Sequence, residues 1–473
     1  MLAGSIIPPM TINRRSFIAS VGGIGAAVTF VDWGANAAPP ALPKSAYAAQ
    51  GTNSSFAGAL RDRLNSDGEF LLKARYWDAR IQLEIGSRPY TMVVRAGHVA
   101  ELAAATAPGT ADIRIAGPEA AWQHGFVARG LTVEGDRVTQ IMPYRAAILR
   151  TIAVVREANG ERHGGGVPEI DRKFDTAVGR YVYVRIKGVQ HRVYFEETGK
   201  GIPIVLQHTA GSDGRQWRHL LEDREIRRHF RLIAYDLPFH GKSVPPTSVP
   251  WWEREYRLDT DRVMDSIVAI ADALELDRPV YMGCSIGGYL APDLALYRPK
   301  SFRAVIGINA SIAGSGAPSQ NPSARAGMER PISDRTADPF FHPRINGETI
   351  GAAMYEITSP EAPDAYRRET AWVYSQGGPG IFAGDLYYYI YDHDLVGKAG
   401  KIDTSKVPVY LLSGEYDPSM ATGPRSAESL AKAIPGATFA MIKGGSHFAM
   451  SDDYPRFRQY LLPILEKIRQ RAS

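Results

Sequence analysis

Hydrophobic and polar positions follow two different patterns, one before and one after about residue 170. In the later part, short apolar runs alternate with stretches of helical periodicity. These runs cover residues 204–206, 232–235, 280–282, 304–308 and 407–412. Short buried strands that alternate with helices predict a mostly parallel sheet covered on both faces. We expect catalytic groups on the loops at the carboxyl ends of its strands.

The earlier part, residues 49–156, has the mixed pattern of a small α+β domain. The pattern predicts helices at 57–64, 118–126 and 144–155, and strands at 81–85, 90–94 and 111–117. This order, and above all the stretch from Asp112 to Trp122, resembles the sterol-carrier-protein family. The resemblance implies an apolar tunnel for a lipid. A packing or dimerisation module whose tunnel has closed is the alternative.

Two further segments are predicted to lie outside these folded parts. Residues 157–178 include three consecutive glycines, 164–166, and predict a linker before the domain at 179–473. Residues 1–48 carry Arg14-Arg15, an apolar stretch and small-residue cleavage patterns. They resemble a bacterial twin-arginine export signal. The resemblance implies a periplasmic or secreted protein that touches a membrane only through an uncleaved signal.

The sharpest chemical motif is the pentapeptide Gly283-Cys284-Ser285-Ile286-Gly287, which follows an apolar strand and precedes a helical run. A strained turn between strand and helix lifts a serine above the sheet, and glycines on either side avoid steric clashes. We therefore predict Ser285 as a nucleophile. Cys284 is expected to be a buried, inert thiol.

A nucleophilic serine needs a base, and the base needs an acid that orients it. His447 follows a predicted strand, and Asp417 and Glu415 follow another. The chain order Ser285, Asp417, His447 resembles that of the α/β-hydrolase superfamily, whose Gly-x-x-Asp spacing falls on Asp417. The resemblance implies an eight-stranded sheet, a cap insertion at about 312–402, and catalysis without metal or organic cofactor.

The same resemblance implies an oxyanion hole made by two backbone N–H groups. It assigns them to Ile286 and to Ala210, although Thr209 replaces the glycine usual in the superfamily. His208 is expected to support this loop rather than act as a second base. His240, in the turn after the next strand, is expected to be either solvated or packed.

Aromatic residues are dense in the predicted cap, where they either line a substrate pocket or form the core of the cap itself. The stretch 392–394 is predicted to be a solvated turn rather than a metal site. The candidate substrate contacts are Trp217, Tyr289, Trp372 and Tyr374.

Composition excludes several classes of protein. The 473 residues are 44% hydrophobic and 22% charged, which is a globular balance, and the net charge of +5 comes without a basic run that would indicate a nucleic-acid partner. One cysteine excludes an intramolecular disulfide and a thiolate metal cage.

The sequence therefore predicts a serine hydrolase that cleaves an ester, lactone or related acyl compound with an apolar or aromatic group. Hydrolysis of a carbon–carbon bond in a β-diketone, or of an amide, would use the same triad. A lipid-binding or carrier protein is the alternative of another class. The first domain either binds lipid, covers the site or pairs two subunits in a homodimer.

Overall fold

The computed structural model describes residues 53–123, 130–160, 167, 173–324, 347–378, 380–417 and 423–472. The predicted export segment lies outside these residues, as do parts of the predicted linker and of the helix predicted at 118–126. Among the described helices, none combines the length and the apolar character needed to cross a membrane.

The amino-terminal part is a five-stranded sheet packed against helices. Its elements are α1 (Asn53–Ser66), α2 (Gly68–Ala74), β1 (Ala79–Ile85), β2 (Arg88–Arg95), β3 (His98–Ala104), β4 (Ile113–Gly117), β5 (Thr132–Gly135) and α3 (Arg145–Ala158). The strand order is β3-β2-β1-β4-β5, and only the β1–β4 pair is parallel. The core between sheet and helices includes Trp77, Leu83 and Ile152. The resemblance to sterol-carrier domains stays a prediction.

The carboxy-terminal part is built on an eight-stranded sheet. Its strands are β6 (Val178–Ile186), β7 (Val189–Gly199), β8 (Ile202–Gln207), β9 (Phe230–Tyr235), β10 (Val280–Cys284), β11 (Ala304–Ile308), β12 (Val409–Gly414) and β13 (Thr438–Ile442). Their order is β13-β12-β11-β10-β8-β9-β7-β6, and β7 is antiparallel to both of its neighbours. The prediction of an eight-stranded, mostly parallel sheet is confirmed.

The strands β8 to β12 each contribute alternate residues to two cores. Val205, Tyr281 and Val305 face one core, while their neighbours Leu206 and Met282 face the other. Because successive side chains of a strand point to opposite faces, a strand buried on both sides is apolar throughout. This explains why these strands appear in the sequence as continuous apolar runs.

Helices cover both faces of the sheet. They are α4 (Arg218–Leu221), α5 (Thr260–Ala273), α6 (Ile286–Tyr297), α7 (Gly347–Tyr355), α8 (Asp364–Ser375), α9 (Ile381–Leu386), α10 (Ala427–Ala433), α11 (Ala449–Asp452) and α12 (Tyr454–Ala472). The Asp259 side chain accepts a hydrogen bond from the Arg262 N–H and caps α5. Buried residues such as Val263, Ile267 and Ile270 recur along α5 at helical spacing.

The helices α7, α8 and α9 lie within the predicted cap insertion, between β11 and β12. Three short elements of the amino-terminal part, α2, β3 and β5, were not predicted from the sequence. The strand β3 has only two buried residues, Val99 and Leu102. Its apolar signal is therefore too weak to stand out in the sequence.

Candidate active site

Ser285 occupies a sharp turn between β10 and α6. Its backbone has φ +56° and ψ −114°, a strained conformation for a residue with a side chain. A Cβ on Gly283 would lie 2.7 Å from the carbonyl carbon of Gly287, and one on Gly288 would lie 2.0 Å from the Ile308 oxygen. The turn therefore exists because glycine allows the helix to pass close to the sheet.

His447 and Asp417 form a hydrogen-bonded pair at the ends of β13 and β12. The His447 Nδ1 lies 2.6 Å from the Asp417 Oδ2, and Asp417 is buried. This bond directs the Nδ1 proton to the carboxylate and leaves Nε2 as the basic nitrogen. A buried carboxylate beside an imidazole also stabilises the imidazolium that forms when the ring takes a proton.

Glu415, the rival acid, has other partners. Its carboxylate accepts hydrogen bonds from the Lys443 Nζ at 3.0 Å and from the Gly444 N–H at 2.9 Å. The Gly444 N–H and the Lys443 ammonium hold the pKa of Glu415 below its usual value. Of the two acids, Asp417 is the one that contacts His447.

Asn309, at the end of β11, ties the loops of the site together and was missed in the sequence. Its Nδ2 donates to the His447 carbonyl at 2.8 Å, and its Oδ1 accepts from the Gly414 N–H at 2.9 Å. The Cys284 thiol donates to the same carbonyl at 3.1 Å. The backbone of His447 therefore lies beside the residue that precedes Ser285. A polar residue directly after an apolar strand was the only sequence signal for Asn309.

Cys284 is fully buried, and burial raises the pKa of its thiol well above the usual value. The prediction of a buried thiol is confirmed. Protonated sulfur is a poor nucleophile, so this cysteine supports the His447 loop as a donor.

Residues 207–213 follow β8 and contain Ala210, the predicted oxyanion-hole donor, so we call them the oxyanion loop. The Thr209 N–H donates to the Gln216 Oε1 at 3.0 Å, and the Gly211 N–H donates to the Asp385 Oδ2 at 2.7 Å. Within the described part of the chain, the Ala210 N–H between them has no hydrogen-bond partner. The Ile286 N–H is the first of α6 and has no carbonyl acceptor in its own helix.

His208 supports this loop, as predicted. Its Nδ1 donates to the Thr209 carbonyl at 2.8 Å, and its Nε2 accepts from the Leu237 N–H at 3.1 Å. Burial, with a further contribution from the charge of His240, lowers the pKa of His208 to about 4. The ring is therefore neutral, as the acceptor role of Nε2 requires.

Of the four candidate substrate contacts, Tyr374 lies beside the oxyanion loop, where its hydroxyl contacts the Thr209 Oγ1. Tyr289, on α6, packs edge-on against Tyr389 of the cap. Trp217 is fully buried, in the same core as Tyr374. Trp372 is 54% exposed, and its ring faces the Arg215 guanidinium.

The prediction of a solvated turn at 392–394 is wrong for His393. This residue is buried, its Nδ1 lies 2.8 Å from the Asp293 Oδ2, and its Nε2 donates to the Ser311 carbonyl. The Tyr388 hydroxyl donates to the same Asp293 carboxylate at 2.6 Å. These two cap residues are therefore anchored on α6, which a local sequence pattern does not reveal.

Known proteins share this fold and part of the sequence. The family model described as alpha/beta hydrolase fold matches residues 202–454. The chain is 25% identical over 323 residues to bifunctional epoxide hydrolase 2 of Sus scrofa, covering 60% of this chain and 55% of that protein. It is 31% identical over 137 residues to epoxide hydrolase 4 of Mus musculus, covering 28% of this chain and 36% of that protein.

The chain thus spans about half or less of the length of these curated relatives. Among solved structures, a thermophilic esterase from Thermogutta terrifontis is similar with a TM-score of 0.50 and 18% identity. The match covers 61% of this chain and 99% of that chain. At this identity the similarity concerns the fold alone. On the family match and the observed sheet, the chain belongs to the alpha/beta hydrolase fold family.

Proposed function

We propose that the protein is a serine hydrolase that cleaves an ester, a lactone or a related acyl compound. The observation that carries this proposal is the pairing of His447 with Asp417 in a loop that contacts the strand end before Ser285. This combination supplies a nucleophile, a base and an acid that orients the base.

In the proposed reaction, the His447 Nε2 takes the proton of Ser285 as the serine oxygen attacks the substrate carbonyl. The N–H groups of Ala210 and Ile286 stabilise the negative charge that develops on the carbonyl oxygen. His447 then protonates the leaving group, and an acyl group remains on Ser285. Water, activated by the same imidazole, releases the acid and restores the enzyme.

The two curated relatives compared above are epoxide hydrolases by name, but the residue at the elbow of this chain favours acyl transfer. A serine that opened an epoxide would form an ether, which water does not readily cleave. A serine that attacks an ester forms a new ester, which the same site can hydrolyse. Ser285 therefore supports acyl chemistry as the function of this site.

The test is a turnover screen of p-nitrophenyl esters, lactones, β-diketones and anilides. We expect Ser285→Ala to lower kcat on the accepted class by about a thousandfold or more, and Asp417→Asn by about a hundredfold or more. Glu415→Gln is the matched control and should stay within about twofold of wild type, since Glu415 contacts Lys443 and Gly444 instead of His447.

Turnover that survives in Ser285→Ala would overturn the proposal. An equal loss in Asp417→Asn and Glu415→Gln would contradict the assignment of the acid. The class of compound that wild type accepts distinguishes esters and lactones from carbon–carbon and amide substrates.

A further inference from the structure

A fully buried carboxylate of the cap, that of Asp385 on α9, lies beside the oxyanion loop. Its Oδ2 accepts hydrogen bonds from the Gly211 N–H at 2.7 Å and from the His240 Nε2 at 2.8 Å. Its Oδ1 accepts from the Tyr256 hydroxyl at 3.1 Å. A buried carboxylate is stable only when it is paired and hydrogen-bonded, and these three donors satisfy it.

The Gly211 bond fixes the peptide unit that follows Ala210. The peptide unit that precedes Ala210 is fixed from the other side, because the Thr209 carbonyl accepts from the His208 Nδ1. A peptide bond is planar and trans, so its N–H points away from its carbonyl. With both flanking planes held, the dihedral angles of Ala210 and the direction of its N–H are determined.

A second contact of α9 involves the same residue of the oxyanion loop, Gly211. Gly211 has φ +68°, and a Cβ there would lie 2.7 Å from the Phe382 ring. Phe382 is on the same short helix as Asp385, so α9 meets the oxyanion loop through a hydrogen bond and through close packing. The cap is thereby joined to the loop on the carboxyl side of Ala210.

We propose that Asp385 is a positioning residue that aims the Ala210 N–H at the oxyanion by holding the next peptide unit. This inference rests on the proposed function and adds a cap residue to the machinery of that site. Asp385 acts through Gly211 and is not a catalytic residue. A backbone N–H can only donate, so in the Gly211 contact the Asp385 oxygen is the acceptor.

The experiment compares two buried aspartates that share the same kinds of partner. Asp293, like Asp385, joins cap and core through one histidine and one tyrosine, His393 and Tyr388. Only Asp385 also accepts a backbone N–H of the oxyanion loop. The variants Asp385→Leu and Asp293→Leu remove both acceptor oxygens at similar volume, while Asp385→Asn keeps one acceptor for the Gly211 N–H.

We expect Asp385→Leu to lower kcat on an accepted ester by about tenfold or more with KM changed less than about threefold. Binding of a trifluoromethyl ketone, which forms a tetrahedral oxyanion adduct, should weaken by the same factor. Asp385→Asn should recover most of this loss. Asp293→Leu should lower the melting temperature comparably and keep kcat within about threefold of wild type.

A folded Asp385→Leu protein with wild-type kcat would overturn the inference, and so would an equal loss of kcat in Asp293→Leu. If Asp385→Leu does not fold, Asp385→Ala tests the same point with a smaller side chain. Retained turnover in Ser285→Ala would instead contradict the proposed function. An inactive Ser285→Ala beside an unaffected Asp385→Leu would contradict only the role of Asp385.

Discussion

Two buried histidines that contact each other have pKa values shifted in opposite directions. The rings of His208 and His240 lie 4.8 Å apart, and both side chains are buried. Burial lowers the pKa of His208 to about 4. Burial also disfavours the charged form of His240, but Asp385 outweighs it and raises the pKa of that ring. The hydrogen bond to Asp385 therefore distinguishes His240 from His208, and the pKa values of the two neighbours shift in opposite directions.

These pKa shifts predict how stability depends on pH. Below about pH 6.5, the folded state binds fewer protons at His208 than the unfolded state does. The stability that depends on a neutral His208 is therefore fully present above about pH 6.5 and is lost as the pH falls toward 4. The loss is about 3 kcal/mol of unfolding free energy. For His240 the pH dependence of stability has the opposite sign. Because its pKa is raised in the folded state, the stability that its charged form contributes decreases at higher pH.

Urea unfolding of wild type and of His208→Gln between pH 4 and pH 7 tests this prediction, because glutamine does not titrate. We expect the decline of stability toward acid pH to be shallower in the variant, by up to about 1.4 kcal/mol per pH unit. The same slope in both proteins would show that His208 does not titrate differently on folding.

At the scale of elements, the geometry of the site depends on how closely α6 approaches the sheet. Gly288 lies against β11, where an added Cβ would be 2.0 Å from the Ile308 carbonyl oxygen. Backbone atoms cannot move aside as a flexible side chain can. The direction of the Ser285 turn therefore depends on a contact between helix and strand as well as on the motif itself.

We expect Gly288→Ala to lower the unfolding free energy by more than about 2 kcal/mol, because the methyl group forces α6 away from β11. Gly58→Ala in α1 is the matched control. Nothing lies within 4 Å of its added Cβ, so alanine should stabilise that helix by about 0.5 to 1 kcal/mol. Chemical denaturation measures both, and equal stability in the two variants would contradict the close approach.

At the scale of the whole molecule, the amino-terminal part holds the cap through ion pairs. Arg368 of α8 binds Glu69 through two bonds of 3.0 and 2.9 Å, and Arg145 binds Glu356 in the same way. Just beyond Glu356, the Ile357 carbonyl accepts from the His447 N–H at 3.3 Å. The cap thus lies between the amino-terminal part and His447.

A double-mutant cycle measures whether these contacts couple the two parts in solution. We expect Glu69→Ala and Arg368→Ala each to lower the unfolding free energy, and the double variant to lose less than the sum. The pair is partly exposed, so the coupling energy should be about 0.5 to 1 kcal/mol and should fall with added salt. Additive effects at low salt would argue against the contact.

The residues predicted from the sequence are those with local signals. Ser285 stands in a strand–turn–helix motif, and Asp417 and His447 each follow an apolar strand. Strand periodicity, glycine spacing and chain order are readable because each arises from neighbours along the chain. The mostly parallel character of the large sheet was predictable for the same reason, whereas its number of strands, eight, was implied by the family resemblance.

Asn309, Asp385 and His393 were not predicted in their roles, because their partners are distant in the chain. Asp385 is 174 residues from Gly211, and Asn309 is 138 residues from His447. Many polar residues follow apolar runs, and the sequence does not show which of them are in contact in the folded protein. The sequence by itself determined the family, most of the strands and the candidate triad. Only tertiary packing decided which buried polar groups pair, because a buried group must find its partner wherever the fold brings one within hydrogen-bond distance.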